Sequence, residues 1–349
     1  MAVLHLDLDA FFASVEILLN PNLADKPVIV AMGNPQGRGV VSTASYAARK
    51  FGVHSAMPLR TAARLCPQAI FVQPHFHIYR EYSQRVMNLL REYSPRIEQV
   101  SIDEAYMEIP SDQDTARIAH EIQRRIKDEI HLDCTVAVAS NKLVAKIACN
   151  VVKPRGFIVL EPGAEQSFLA PLPIDKLPGA GKVTRQKLLK WNVQTIGDLA
   201  RVPVEELRRE FGKWGVYLHE GALGKDDSPI ITDAKTKSIS QENTFERDTR
   251  DASQLEKEIA AMSENIARDL VKEKFTARTI VLKLRYSDFT TITRQLTLPQ
   301  STADADEIKQ CALELWRKHW DTRRAIRLIG VGAHNLMDAD AARQLGFTL

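Results

Sequence analysis

Leu4, Leu6 and Leu8 alternate with His5, Asp7 and Asp9 at the start of the chain. This period of two predicts a strand over residues 3 to 9, with both acids on the face shared by Val3 and His5. A helix over 11 to 19 stops before Asn20-Pro21, and a second strand follows from Pro27 to Ala31. The turn-rich segment from Gly33 to Gly39 leads into VVSTASYAARKFGV, a strand running into a short helix. Next come a helix over 79 to 93, strand-like runs over 96 to 101 and 105 to 109, and a helix over 114 to 130 striped by Ile118, Ile122, Ile126 and Ile130. A strand over 134 to 139 closes the series. Strand, helix, strand, strand, helix, strand is the order of a split βαβ, ferredoxin-like sheet, here with residues 11 to 74 inserted after its first strand.

Residues 165 to 228 read as short helices punctuated by Gly and Pro, and the polar stretch 225 to 237 as a linker. Beyond it the pattern predicts a strand (239 to 246), a long helix (253 to 271), strands over 277 to 286 and 289 to 298, a helix (304 to 320) and a strand (325 to 333). That is a separate α+β domain, so the whole is an α+β multidomain chain.

A chain of 349 residues, 44% hydrophobic and 26% charged, is ordinary for a globular protein of several domains. It has no apolar run long enough to span a bilayer. Two aspartates within the first nine residues argue against a signal peptide. Cys66, Cys134, Cys149 and Cys311 lie far apart without a C-x-x-C pair, which excludes a sequence-evident zinc site and fits the reducing cytoplasm. Net charge is +3, and cutting the chain after 164 and 229 leaves +1 on each part, so bulk charge does not point to nucleic acid.

The chemistry therefore rests on particular residues. Asp7 and Asp9 end the first strand, and a second acidic cluster, Asp103 and Glu104, lies in SIDEA. In a straight strand Asp103 and Glu104 would point to opposite faces, so they can share a ligand only if the chain bends between the runs 96 to 101 and 105 to 109. A split βαβ sheet makes that hairpin a neighbour of the first strand, bringing Asp7, Asp103 and Glu104 together. Clustered carboxylates raise one another's pKa unless cations compensate, and all-oxygen donors suit Mg²⁺ or Mn²⁺. Two such ions clamp the attacking and leaving oxygens of phosphoryl transfer. Either cluster alone would more often be solvated surface. Thr43, Tyr46 and Arg49, with the last two sharing a helical face, and Lys153 after the helical run NKLVAKIACNVV offer donors to a triphosphate.

Together the runs DLDAFFASVE, VVSTASYAARKFGV, SIDEAYMEI and KIACNVVKPRG resemble the Y-family of DNA polymerases, in particular its DNA polymerase IV (DinB) branch, and the likeness continues through LPGAGKVT, KSIS and IRLIGV. The resemblance implies a right-hand polymerase. Its palm would be 1–10 and 75–164, small fingers 11–74, a helical thumb with a helix-hairpin-helix 165–228, a linker 229–238, a little finger 239–340 and a tail 341–349. It implies two Mg²⁺ ions, replaceable by Mn²⁺, on Asp7, Asp103, Glu104 and the Leu8 carbonyl, with Asp7, Asp103 and Glu104 as the catalytic residues. Phe11, Phe12, Thr43, Tyr46, Arg49 and Lys153 would bind the nucleotide, Phe12 being the steric gate against a ribose 2′-hydroxyl. Ala10 stands where some relatives have a larger residue, and Met32 and Val40 would lie near the templating base.

LPGAGKVT is not a P-loop, because Lys176 and Val183 stand where Gly and Ser or Thr are required. It looks like a helix-hairpin-helix whose Gly179 and Gly181, beside Lys182, let backbone N–H groups approach a DNA phosphate. In ARTIVLKLRY, Ile280, Leu282 and Leu284 share one face, and Thr279, Val281, Lys283 and Arg285 the other, half-basic one. Lys237, Ser238 and Arg327 resemble further backbone-contacting positions. The terminal QLGFTL, through Gln344, Leu345, Phe347 and Leu349, resembles a sliding-clamp-binding peptide. The expected activity is low-fidelity translesion DNA synthesis without proofreading, from dNTPs on primer-template DNA, by a cytoplasmic monomer with no membrane association. Two rival readings share these features: a nucleotidyl cyclase, which also uses a split βαβ sheet with paired acids, and a non-catalytic DNA-binding scaffold at stalled forks.

Overall fold

The structure, a computed structural model, describes residues 2–110, 113–233 and 235–339. The first strand, β1 (Ala2–Leu8), enters α1 (Phe11–Leu19) through Ala10, whose left-handed backbone (φ 48°) makes the turn. A left-handed alanine costs roughly 1–2 kcal/mol, so packing on both sides must hold this abrupt exit from the sheet. The insertion contains β2 (Val28–Ala31), β3 (Val41–Ala44), α2 (Tyr46–Arg49), α3 (Leu59–Leu65) and β4 (Ile70–Val72). The chain then forms α4 (Phe76–Arg91), β5 (Ile97–Gln99), β6 (Glu104–Ile109), α5 (Thr115–Arg125), β7 (Cys134–Ala139), α6 (Lys142–Val152) and β8 (Phe157–Val159).

Two sheets result, one ordered β5-β6-β1-β7-β8 and one ordered β3-β2-β4. In the larger sheet β1 is antiparallel to both β6 and β7, the split βαβ arrangement the element order predicts, with β8 added parallel to β7 at the edge. Leu4, Leu6 and Leu8 pack with Val86, Met87 and Leu90 of α4 and with Ile118 and Ile122 of α5. The isoleucine stripe continues to buried Ile126 and Ile130, although residues 126–130 widen into a π-helical turn. The opposite face of β1 is covered too: Val3 and Tyr106 pack with Leu143, Val144 and Ile147 of α6. That cover leaves His5 wholly buried.

Short helices follow: α7 (Glu165–Leu169), α8 (Lys182–Leu189), α9 (Ile196–Arg201), α10 (Val204–Phe211) and α11 (Lys213–Ala222). Leu169, Leu188, Ile196, Leu199, Leu207 and Leu218 join the α6 side chains in one core. The polar stretch after α11 is not free linker from its start. Asn141 Nδ2 donates to the Gly224 carbonyl (2.8 Å), Leu143 N–H to Asp226 (3.0 Å), Lys142 to the Pro229 carbonyl (3.2 Å), and Ile231 N–H to Glu98 (2.9 Å). Polar sequence there satisfies the exposed start of α6, a role composition alone cannot reveal.

The chain divides into two compact units between residues 234 and 235. The second contains β9 (Ser238–Thr249), α12 (Ala252–Lys272), β10 (Phe275–Tyr286), β11 (Thr291–Thr302), α13 (Ala305–His319) and β12 (Ile326–Asp338). Its antiparallel sheet is ordered β11-β10-β12-β9. Ile280, Leu282 and Leu284 of β10 meet Leu255, Ile259 and Ile266 of α12 and Ile308 and Ala312 of α13, as the alternation predicts. Among the described residues no helix is long and apolar enough to cross a membrane.

Candidate active site

The pairing of β1 with β6 sets Asp7 directly opposite Glu104. One residue further on, Leu8 N–H donates to the Asp103 carbonyl (2.9 Å). Between β5 and β6 the chain bends through residues 101–103, and Val100 and Ser101 N–H groups donate to the Glu104 carbonyl (3.0 and 3.2 Å). This is the bend that the period of two demands if Asp103 and Glu104 are to serve one site.

Each acid has its own partner. Lys153 Nζ lies 2.5 Å from Asp7 Oδ2. Glu104 Oε1 takes His5 Nε2 at 2.7 Å and Lys146 Nζ at 2.5 Å, and Ser101 Oγ donates to Asp103 Oδ1 at 2.6 Å. Burial raises the Asp7 carboxyl above the usual aspartate range; Lys153 pulls it back and Asp103 adds to the rise. Burial also works to raise Glu104, but hydrogen bonds from His5 and Lys146 outweigh it and bring the carboxyl down to about 2.

Among the described residues no three His, Cys, Asp or Glu side chains are gathered into a finished metal cage. The acids are instead turned toward lysines, a histidine and a serine. Their chemistry still fits a hard divalent cation: all donors are oxygen, two are register partners, and the whole lies at one strand end.

Tyr46 and Arg49 of α2 do share a face, with the guanidinium 4.7 Å from the Tyr46 ring centroid. Arg49 Nε donates to the Ala44 carbonyl (3.0 Å), and the Tyr46 hydroxyl to Asp9 Oδ1 (3.0 Å), which draws α2 against the end of β1. Burial, reinforced by Asp9, raises the Tyr46 phenol far above its ordinary value, so it stays a proton donor. Thr43 lies on β3 opposite Val30. Lys153, at the end of α6, meets the same corner from the other side through Asp7.

Phe12 is half-buried and stacks face to face on Tyr79, centroids 4.3 Å apart and planes 10° apart, with Phe76 edge-on at 5.8 Å. Buried Glu16 accepts from the Tyr79 hydroxyl and, at 2.9 Å, pairs with His75 Nδ1. Phe11 corrects the sequence expectation. It is 1% exposed in the core beneath the sheet, because the inner face of α1 must cover that core, so its ring is no nucleotide contact. Met32 and Val40 are both more than half exposed.

Gly179 takes a left-handed φ of 91°, and a Cβ there would fall 2.3 Å from Trp214. Gly181, at the N-cap of α8 and followed by exposed Lys182, has open space around it. A side chain at Gly179 would thus meet both an unfavourable backbone and Trp214, whereas one at Gly181 would meet neither. In the second unit the half-basic face of β10 is less open than its alternation suggests. Thr279 is 2% exposed and bonded to Thr297 and Asn335 of the flanking strands. Lys283 is paired with Glu242 (2.7 Å), Arg285 donates to Thr291 (2.8 Å), and Arg327 lies 4.5 Å from the Phe289 centroid. Lys237 and Ser238 are exposed where β9 begins. Gln344, Leu345, Phe347 and Leu349 lie outside the described residues.

The sequence reading missed several neighbours of this corner: His5, Lys146, Ser101, Thr135, Glu16 and Tyr79. Two had a signal. His5 shares its strand face with Asp7, and Lys146 of α6 precedes Lys153, the residue that caps that helix, by seven positions, about two helical turns.

Comparison with known proteins agrees along nearly the whole chain. The impB/mucB/samB family matches residues 6–150 and its C-terminal domain residues 236–347, while the DNA polymerase-iota thumb domain matches 175–226. DNA polymerase IV of Dehalococcoides mccartyi (strain CBDB1) is 45% identical over 95% of this chain and 86% of its own. That of Alkalilimnicola ehrlichii is 40% identical over 98% of both. Among solved structures, the Y-family DNA polymerase chimera Dbh-Dpo4(243-245)-Dbh superposes with a TM-score of 0.86 at 31% identity, covering 97% of this chain and 99% of its own. An insertion ternary complex of Dbh DNA polymerase gives 0.69 at 30%, with the same coverage. The carboxylate corner thus sits in a right-hand polymerase fold, and the chain belongs to the Y-family of DNA polymerases, of DNA polymerase IV type, as a DNA-directed DNA polymerase.

Proposed function

We propose that this polymerase carries out low-fidelity translesion synthesis, adding deoxynucleotides to a primer 3′-hydroxyl at a site built to hold two magnesium ions. The observation that carries this reading is the register pairing of Asp7 with Glu104, with the Asp103 carbonyl bonded to Leu8 and Lys153 seated on Asp7. Asp7, Asp103, Glu104 and the Leu8 carbonyl would hold the ions. Bound there, Mg²⁺ or Mn²⁺ lowers the pKa of the attacking hydroxyl and stabilises charge on the transferred phosphate.

The remaining work falls to the chain itself. Lys153, Tyr46, Arg49 and Thr43 would bind the triphosphate, and the lysine is already poised at the Asp7 carboxylate, which it would leave for a phosphate oxygen. Phe12, backed by Tyr79, would exclude a 2′-hydroxyl. We assign 1–10 and 75–164 as palm, 11–74 as fingers, 165–228 as thumb, 229–238 as linker and 239–340 as little finger. Fingers this small leave little protein to inspect the nascent pair, which supports low fidelity. Gly181 and Lys182, with Lys237, Ser238, Lys283, Arg285 and Arg327, would contact the DNA backbone, and the tail the sliding clamp. The same reading makes the protein a cytoplasmic monomer.

A nucleotidyl cyclase would share the sheet and its acids but has no use for the thumb helices or the second unit. A non-catalytic scaffold would have no need to keep all three acids. Extension of primed templates, undamaged or carrying an N²-guanine adduct or an abasic site, tests the proposal, with Asp103→Ala as control. Templated extension past at least one lesion is expected. Failure to extend even the undamaged template would reject it.

A further inference from the structure

We propose that Asp9 is a positioning residue that sets the triphosphate-binding side chains at their working distance from the catalytic acids. The inference rests on the assignment of Tyr46 and Lys153 to the triphosphate.

Asp9 shares the acidic end of β1 with Asp7, yet it faces no site of its own. It is 3% exposed. Its Oδ1 accepts from the Tyr46 hydroxyl (3.0 Å) and from Thr135 Oγ1 (3.1 Å); its Oδ2 accepts from the Arg155 N–H (2.7 Å) and again from Thr135 (3.1 Å). Its own backbone is fixed by donation to the Asp133 carbonyl (2.9 Å) and by acceptance from Ser14 Oγ (2.7 Å). A carboxylate so enclosed by donors has no room for the role of a metal ligand.

What it joins is specific. Tyr46 belongs to α2 in the insertion, Thr135 to β7 in the sheet, and Arg155 to the loop two residues beyond Lys153. Asp9 itself is two residues beyond Asp7. One side chain therefore braces the three chain segments that carry Tyr46, Lys153 and Asp7. A buried acceptor shared by three donors is costly to lose, because its loss strands the Arg155 N–H, which cannot reverse its role. Tyr46 and Thr135 can reverse theirs. An asparagine can therefore keep its oxygen on Arg155 and offer its amide to the two hydroxyls, whereas an alanine can do neither.

Steady-state kinetics of nucleotide insertion by the full chain on primer-template DNA test this. Asp9→Ala should raise KM for the dNTP about tenfold or more while leaving the Kd for primer-template within about threefold. Adding Tyr46→Phe to Asp9→Ala should change KM by less than about twofold, since a Tyr46 no longer held by Asp9 has already lost its working position. Asp9→Asn should recover most of the loss. If Asp9→Ala does not fold, Asp9→Ser, which keeps one oxygen for three donors, carries the same comparison. A folded Asp9 variant with unchanged KM, or additive effects with Tyr46→Phe, would overturn the proposal. Should Tyr46→Phe and Lys153→Ala themselves leave KM unchanged, the triphosphate assignment falls first, and this inference with it.

Discussion

The rings of Phe12 and Tyr79 lie face to face, 4.3 Å between centroids, and the phenol of Tyr79 is tied to buried Glu16. Phe12 is thus held from behind rather than free to swing away. A stiff ring discriminates by collision better than a mobile one, because an intruding hydroxyl cannot push it aside.

Removing that ring should relax sugar selection. Phe12→Ala or Phe12→Val is expected to raise ribonucleotide insertion relative to deoxynucleotide by about tenfold or more, through loss of a steric clash. Single-nucleotide insertion with matched dNTP and rNTP reads this directly. Unchanged discrimination would remove Phe12 from the gate.

The acids should govern rate rather than grip. Asp103→Ala or Glu104→Ala is expected to cut extension by more than about a thousandfold, roughly 4 kcal/mol in barrier, with primer-template affinity nearly intact. Chelation of divalent metal should act on the wild type in the same way. Retention of more than about a thousandth of the rate would count against the assignment.

The two glycines of the α8 turn should separate stability from binding. Gly179→Ala meets Trp214 and an unfavourable φ, so it should lower stability by about 1–3 kcal/mol in thermal or chemical unfolding. Gly181→Ala has room and an ordinary φ of −65°, so the fold should be kept. If its N–H groups approach a phosphate, Gly181→Ala and Lys182→Ala should weaken DNA binding, and the Lys182 variant should flatten the salt dependence by about one unit of log–log slope. Wild-type affinity and slope in both would take the turn out of the DNA interface.

Deleting residues 344–349 should lower processivity in the presence of the sliding clamp while leaving it unchanged in the clamp's absence. Equal processivity of full-length and truncated chains with the clamp would dispose of the tail assignment.

Much of this was legible in the residues. The alternation in β1 places Asp7, and Asp103 and Glu104 can serve one site only through a bend, which residues 101–103 make. The isoleucine stripe and β10 alternation found their cores. What escaped were relations between distant segments: Glu104 with Lys146, Asp9 with Arg155, Phe12 with Tyr79. Periodicity reports the face of one element, and these pairs depend on how elements meet. The polar stretch after Gly224 is ambiguous for a related reason, since a polar residue that satisfies a helix start reads the same as one facing water.

The placement of Asp7 across from Glu104 is a property of strand pairing, not of either residue alone. Sliding β1 by a single position along β6 would turn Asp7 to the opposite side of the sheet and put a leucine in its stead. Nucleotide incorporation is therefore a readout of correct assembly. In a refolding experiment, recovered activity should count only molecules whose central strands have found their native alignment, and chains trapped one step out of phase should be compact, helical and silent.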